Sequence, residues 1–184
     1  EHGASVLLND VDENKAKSLY YIAYTYNNLG EYDKSLEFSN NALNEANKIN
    51  NDIIKLQVYN LNGNIYLYKG DYTEATNFYL QTEKLARKLN LETDVITASH
   101  NIGLIRKQIK DLNGALEIFN KNREILENVG EMSSIQQRLY SITLLALSDT
   151  YLRLEDYENA EVYTDIGIGK SKLFKHDDAH DSFL

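Results

Sequence analysis

Apolar residues recur at three- and four-residue spacing along nearly the whole chain, which is the period of a helix with one buried face. The pattern breaks at short polar stretches and predicts four helix pairs. These run at about 13–29 and 32–49, 52–69 and 72–89, 92–109 and 112–128, and 133–153 and 157–173. Boundaries from periodicity carry an uncertainty of roughly two to four residues. The pairs also resemble one another in sequence. Leu19–Leu43, Tyr59–Glu83, Ser99–Arg123 and Leu144–Ile168 align with their turns in register: Gly30-Glu31-Tyr32, Gly70-Asp71-Tyr72, Lys110-Asp111-Leu112 and Glu155-Asp156-Tyr157. A small residue precedes each turn (Ala23, Gly63, Gly103, Ser148) and another follows it (Ser35, Ala75, Ala115, Ala160). Small residues on facing helices let two backbones approach closely, and self-similarity at a fixed period marks a stacked array of hairpins. Such arrays leave extended surfaces suited to binding chains.

The turns contain helix-starting chemistry. Asp71 with Glu74 reads as a capping box, and Asp111 and Asp156 as N-caps. The links between pairs end in Asn50, Asn90 and Gly130, which suit a left-handed C-terminal cap. Tyr26, Tyr66 and Tyr151, with Tyr32, Tyr72 and Tyr157 after the turns, read as residues that fix each hairpin rather than as ligand contacts.

Composition narrows the function classes. The 184 residues contain no Pro, Cys or Trp but 14 Tyr. Pro would interrupt long helices, so its absence fits the pattern. Without Cys there is no disulfide framework and no thiolate zinc site. The net charge of −9 argues against duplex nucleic acid as a partner of this segment, since phosphate neutralisation needs clustered Lys and Arg. No apolar run approaches a membrane span.

The spacing of small residues, tyrosines and turns resembles the tetratricopeptide repeat. The second pair carries the motif most fully, with Gly63, Tyr66, Gly70, Asp71, Tyr72, Ala75 and Tyr79. The first has Ala23, Tyr26, Gly30 and Tyr32 but Ser35 for Ala. The third keeps Gly103, Asp111, Ala115 and Phe119 but has Arg106 and Leu112 where Tyr is usual. The fourth has Ser148, Tyr151, Asp156, Tyr157 and Ala160. The resemblance implies an all-α fold, a right-handed superhelix of helix-turn-helix repeats. It would cover 1–184 as a single array with repeats at about 13–50, 51–90, 91–130 and 131–174, followed by a polar tail at 175–184. The period is forty residues rather than the usual thirty-four, and the last interval is forty-five, so an extended link is expected around Asn128–Ser134. That longer period is similar to arrays in bacterial sensor kinases, helix-turn-helix regulators and peptide-sensing regulators, and to eukaryotic cargo-adaptor and polarity arrays.

The resemblance further implies that the first helix of each pair lines an inner groove. The candidate groove residues are Tyr20, Tyr24, Asn60, Asn64, Tyr68, His100, Asn101, Leu104, Lys107 and Arg153. Asn can hold both sides of a peptide unit, and Tyr offers a flat apolar face with a polar tip. Lys17, Lys107 and Arg153 against Asp149 would make the groove more positive than its surroundings, leaving the negative charge on the outer helices and turns. The family's carboxylate clamp for chaperone tails is missing. Asn64 and Asn101 fill its two Asn positions, but Asn60, Ile142 and Ala146 stand at its basic ones.

No phosphate loop, nucleophile elbow or zinc-protease motif is present, so no enzyme and no cofactor is expected. His176 and His180 lie four apart beside Asp177, Asp178 and Asp181 and could chelate a divalent metal on a helix. In a short terminal segment a polar tail is the expectation instead. Val6, Leu7 and Leu8 near one end, and Val162, Ile166, Ile168 and Leu173 near the other, predict that the chain continues or self-associates there. The expected function is a non-enzymatic sensor or regulatory module of a bacterial signalling protein or transcription regulator, binding a protein, a peptide or another domain of its own chain. The alternative is a dimerisation scaffold of a histidine kinase or helix-turn-helix regulator with an empty groove. A cytoplasmic setting is favoured, and a periplasmic sensor domain is the other possibility.

Overall fold

The structure, a computed structural model, describes residues 2–177, with side chains from 12 to 170. The described residues form eight helices and no strand: α1 (His2–Asn28), α2 (Tyr32–Lys48), α3 (Asp52–Tyr68), α4 (Tyr72–Leu89), α5 (Glu92–Gln108), α6 (Leu112–Glu127), α7 (Ser134–Arg153) and α8 (Tyr157–Asp177). They agree with the periodicity to within one residue, apart from the outer ends of α1 and α8. The extended link falls between Glu127 and Ser134, as the longer interval requires. The His176–His180 pair, Val6, Leu7, Leu8 and Leu173 lie outside the described side chains. No helix among the described residues is long and apolar enough to cross a membrane.

The helices group into two compact units, one ending at Leu91 and the other starting at Glu92. In the first, α1 pairs with α2 and α3 with α4, α2 packs on α3, and α1 lies beside α3. The second unit repeats this plan: α5 pairs with α6 and α7 with α8, α6 packs on α7, and α5 lies beside α7.

Local chemistry sets the ends of the helices. Asp71, Asp111 and Asp156 cap α4, α6 and α8 by accepting from the backbone N–H of Glu74 (3.1 Å), Gly114 (3.0 Å) and Asn159 (3.2 Å). The Asp71–Glu74 pair is not a reciprocal box, however. The Glu74 carboxylate accepts from Asn77 Nδ2 at 3.5 Å instead of returning to Asp71. The reciprocal box is at Ser133 and Gln136, where the N-cap N–H donates to Gln136 Oε1 at 3.0 Å. Asn50 and Asn90 adopt the left-handed cap with φ of 53° and 57°. Gly130 does not. The end of α6 is held by Asn128, whose Nδ2 donates to the Glu124 carbonyl at 2.8 Å, so no left-handed residue is needed there. Inside the hairpins the left-handed step is taken by Gly30 and Gly70 and, at the aligned positions, by Lys110 (φ 68°) and Glu155 (φ 61°). A side chain in that conformation is strained by the approach of Cβ to the following carbonyl.

The hairpin seams show complementary volumes. A Cβ on Gly63 would lie 2.6 Å from the Tyr79 ring, and one on Gly103 would lie 2.5 Å from the Phe119 ring. Where the first helix has Ala23 or Ser148 instead, the residue sixteen further on is Ser39 or Thr164. A bare backbone thus receives an aromatic ring, while a side chain is met by a small hydroxyl residue. The adjacent small pairs approach closely as expected: Ser35 Oγ donates to the Ala23 carbonyl at 2.7 Å, and Ser148 Oγ to the Ala160 carbonyl at 3.1 Å. Stacked rings brace three hairpins, Tyr26 on Phe38 (5.4 Å between centroids), Tyr66 on Phe78 (5.5 Å) and Tyr151 on Tyr163 (5.5 Å). In the α5/α6 hairpin Arg106 replaces the tyrosine and pairs with Asp111 at 3.1 Å.

Candidate functional site

In the first unit, α1 and α3 place five of the candidate residues. Asn60, Asn64 and Tyr68 follow one another at four-residue spacing on α3 and therefore share a helix face. Tyr20 is half-buried against two apolar clusters of the unit, and its ring lies 5.3 Å from Tyr21 and 6.4 Å from Tyr24. Tyr24 and Tyr68 are 46% and 62% exposed, and Tyr68 stacks on Tyr32 at 6.0 Å. The amides are differently placed. Asn60 Oδ1 is buried with no hydrogen-bond partner. Asn64 Oδ1 accepts from the Tyr79 hydroxyl at 2.7 Å, so it is held by its own hairpin. Burial pushes the Tyr79 phenol far above its ordinary range and keeps it a neutral donor. Tyr79 lies on α4, and its hydroxyl reaches the α3 side chain Asn64 because Gly63 leaves room for the ring.

In the second unit, α5 and α7 place the other five. His100 is 5% exposed, with its ring 5.3 Å from that of Phe119 and its Nδ1 unpaired. Burial and, second, the charge of Lys107 lower its pKa to about 4, so the imidazole is neutral near pH 7. Leu104 is part of the apolar cluster around Ala115, Phe119, Ala146 and Leu147. Asn101 is half-buried. Lys107 Nζ and Arg153 Nε both bond Asp149 Oδ2, at 2.6 and 3.1 Å. Burial opposes ionisation of Asp149, but the two cations together hold its carboxyl below the ordinary range. Lys17 is likewise paired, with Glu13 at 2.6 Å. The positive charge expected on these faces is therefore largely matched by neighbouring carboxylates.

Sequence reading missed Tyr79 and Phe119 as residues that shape these faces. The available signal was the co-variation over sixteen residues, glycine with a ring and a side chain with a hydroxyl.

This arrangement of hairpins, capped turns and glycine–ring seams defines a class of fold within each unit, consecutive helix-turn-helix pairs of tetratricopeptide type. Residues 14–88 match the family model described as tetratricopeptide repeat. Repeats of this family commonly serve as protein-interaction modules. Among solved structures, BtubC (BKLC) from P. vanneervenii is similar at a TM-score of 0.75 and 19% identity, over 92% of this chain and 65% of that one. The apo form of RapI is similar at a TM-score of 0.76 and 19% identity, over 90% of this chain and 58% of that one. The chain thus spans less than two thirds of the length of either structure. No curated protein matches its sequence.

Proposed function

We propose that this chain is a non-enzymatic module of a signalling or regulatory protein that binds an extended protein segment against the α1/α3 face. The observation that carries this reading is the set of exposed tyrosine rings on these two helices, Tyr21, Tyr24 and Tyr68, with Asn60 and Asn64 on the same face of α3 as Tyr68. Tyr combines a large apolar contact with few rotatable bonds and is enriched where binding energy concentrates. Asn64 is the less informative residue to remove, because its loss would also strand the Tyr79 hydroxyl. The test is selection of peptides from a displayed random library, followed by affinity measurement on Tyr24→Ala and Tyr68→Ala. Each substitution is expected to weaken the selected peptides by about tenfold or more with unchanged helicity and melting temperature. Folded variants that bind as the parent does would remove the α1/α3 face from consideration.

A second reading is favoured by a different region. On α7 and α8, Leu145 (70% exposed), Val162 and Ile166 are apolar and open to solvent. This supports a scaffold that self-associates through its last hairpin. Val162→Asp with Ile166→Asp should then dissociate the assembly in sedimentation while leaving peptide binding intact.

A further inference from the structure

The first unit contains a cleft of about 490 Å³ that shares no residue with the tyrosine face. It is lined by Asn47 of α2, by Asp52, Lys55 and Tyr59 of α3, and by Gln81, Lys84, Leu85 and Lys88 of α4. Three ammonium groups stand here against one carboxylate, in a chain whose net charge is −9. Lys88 and Lys55 bond the two oxygens of Asp52 at 2.7 and 3.3 Å, and they lower its pKa. These two lysines have a structural role: Lys88 ties the last turn of α4 to the first turn of α3, and Lys55 pairs with Asp52 within α3. Lys84 has none: no ion pair or hydrogen bond holds it among the described residues, although it lines the same cleft.

The aligned positions elsewhere show that this surplus is not a requirement of the fold. In the first hairpin the counterparts of Lys55 and Lys88 are Lys15 and Lys48, and both bond Glu45, at 3.0 and 2.9 Å. The residue aligned with Glu45 is Leu85, and the one aligned with Lys84 is Asn44. In the α5/α6 hairpin the counterparts of Lys55, Lys84 and Lys88 are Val95, Glu124 and Asn128. Only the α3/α4 hairpin of these three both removes the balancing carboxylate and adds a third lysine.

We infer that this cleft binds a small organic anion, with its phosphate or carboxylate on Lys84 and the flanking ammonium groups and its apolar part against Tyr59 and Leu85. The volume lies in the range of small-ligand pockets, mostly apolar walls with a few convergent polar groups. Lysine suits a phosphate or carboxylate as a point charge without demanding bidentate geometry. Asn47 and Gln81 supply neutral donors and acceptors at the rim.

The test titrates phenyl phosphate, phenylacetate and phenethylamine into the chain, followed by amide chemical shifts or calorimetry. One or both anions should bind saturably and the cation should not, and the tighter of the two anions identifies the head group. Lys84→Glu should weaken the binding by about tenfold or more, whereas Lys121→Glu, at an exposed lysine of the second unit, should change it by less than about twofold. Thermal melting of Lys84→Glu controls for folding, and Lys84→Gln, which removes the charge without reversing it, should give an intermediate loss. The inference is overturned if neither anion binds saturably in the low millimolar range, if phenethylamine binds as well as they do, or if the two charge reversals weaken binding equally.

Discussion

The α3/α4 hairpin of the first unit and the α5/α6 hairpin of the second are close to the same forty-residue sentence written with different endings. Both open their seam with a glycine, Gly63 or Gly103, and both fill it with a ring, Tyr79 or Phe119. The tip of the ring then decides the chemistry of the first helix. Tyr79 brings a hydroxyl, and the residue that meets it is Asn64, at 2.7 Å. Phe119 brings none, and the aligned residue is Leu104, which joins the apolar cluster around it. An amide at that place would need another donor, and an unpaired buried oxygen costs more than a hydrogen bond gains. One atom on the second helix thus selects between a polar and an apolar surface on the first.

The most direct way to break the comparison is to remove the rings. Tyr79→Ala and Phe119→Ala should each cost about 3–5 kcal/mol in urea denaturation, because the glycine opposite cannot grow to fill the space. A loss below about 1 kcal/mol in either would show that the seam collapses around the void and that the ring is not its keystone.

The next effect separates the units by pH. Asn60 and His100 occupy aligned positions, and each has a buried acceptor without a partner, yet only the histidine can titrate. Its pKa is about 4 in the fold and about 6.5 in the unfolded chain. Between these values the unfolded state holds more protons, so stability rises with pH across that window and is lost as acid is added. Lowering the pH from 7 to 5 should remove about 2 kcal/mol through this residue. His100→Gln should flatten that slope, and an NMR titration midpoint near the ordinary histidine value would refute the burial argument.

Exchanging ring tips sharpens the contrast further. Tyr79→Phe should cost about 1 kcal/mol by stranding Asn64. Phe119→Tyr should cost a similar amount by burying a hydroxyl beside Leu104, and adding Leu104→Asn should recover most of it. Additive effects in that double variant would mean the two side chains do not meet as they do in the first unit. The smallest effect is in the turns. Lys110→Gly and Glu155→Gly should each stabilise by about 0.5–1 kcal/mol, since they relieve a left-handed side chain at some entropic cost. Gly70→Ala should do the reverse, all three being read from melting curves.

Helix positions and pairing were legible in the chain because they depend on local terms: the 3.6-residue period, Asp at the helix starts and Asn at the left-handed links. The misreadings arose where alternatives are locally equivalent. A D-x-x-E spacing permits a reciprocal box at Asp71, but whether Glu74 turns back or bonds Asn77 depends on its surroundings. Gly130 permits a left-handed cap, but Asn128 had already closed the helix. The candidate residues were chosen as positions on first helices, and of the tyrosines among them Tyr24 and Tyr68 are exposed while Tyr20 is half-buried. Burial was not legible: His100 and Leu104 stand in sequence like groove residues, yet His100 is buried against Phe119 and Leu104 is half-buried in the same cluster.

The sequence alone determined that this chain is a series of helical hairpins, with tyrosine-rich first helices in the first unit. Period, caps and small residues act over a few positions, and their effects are printed in the order of the residues. Tertiary structure alone decided which polar groups remain available. Asn64 is engaged by a ring fifteen residues away, Lys107 and Arg153 share one carboxylate across two helices, and Lys88 of α4 reaches Asp52 of α3. Each depends on distances between side chains of different helices, which are fixed only when the helices pack.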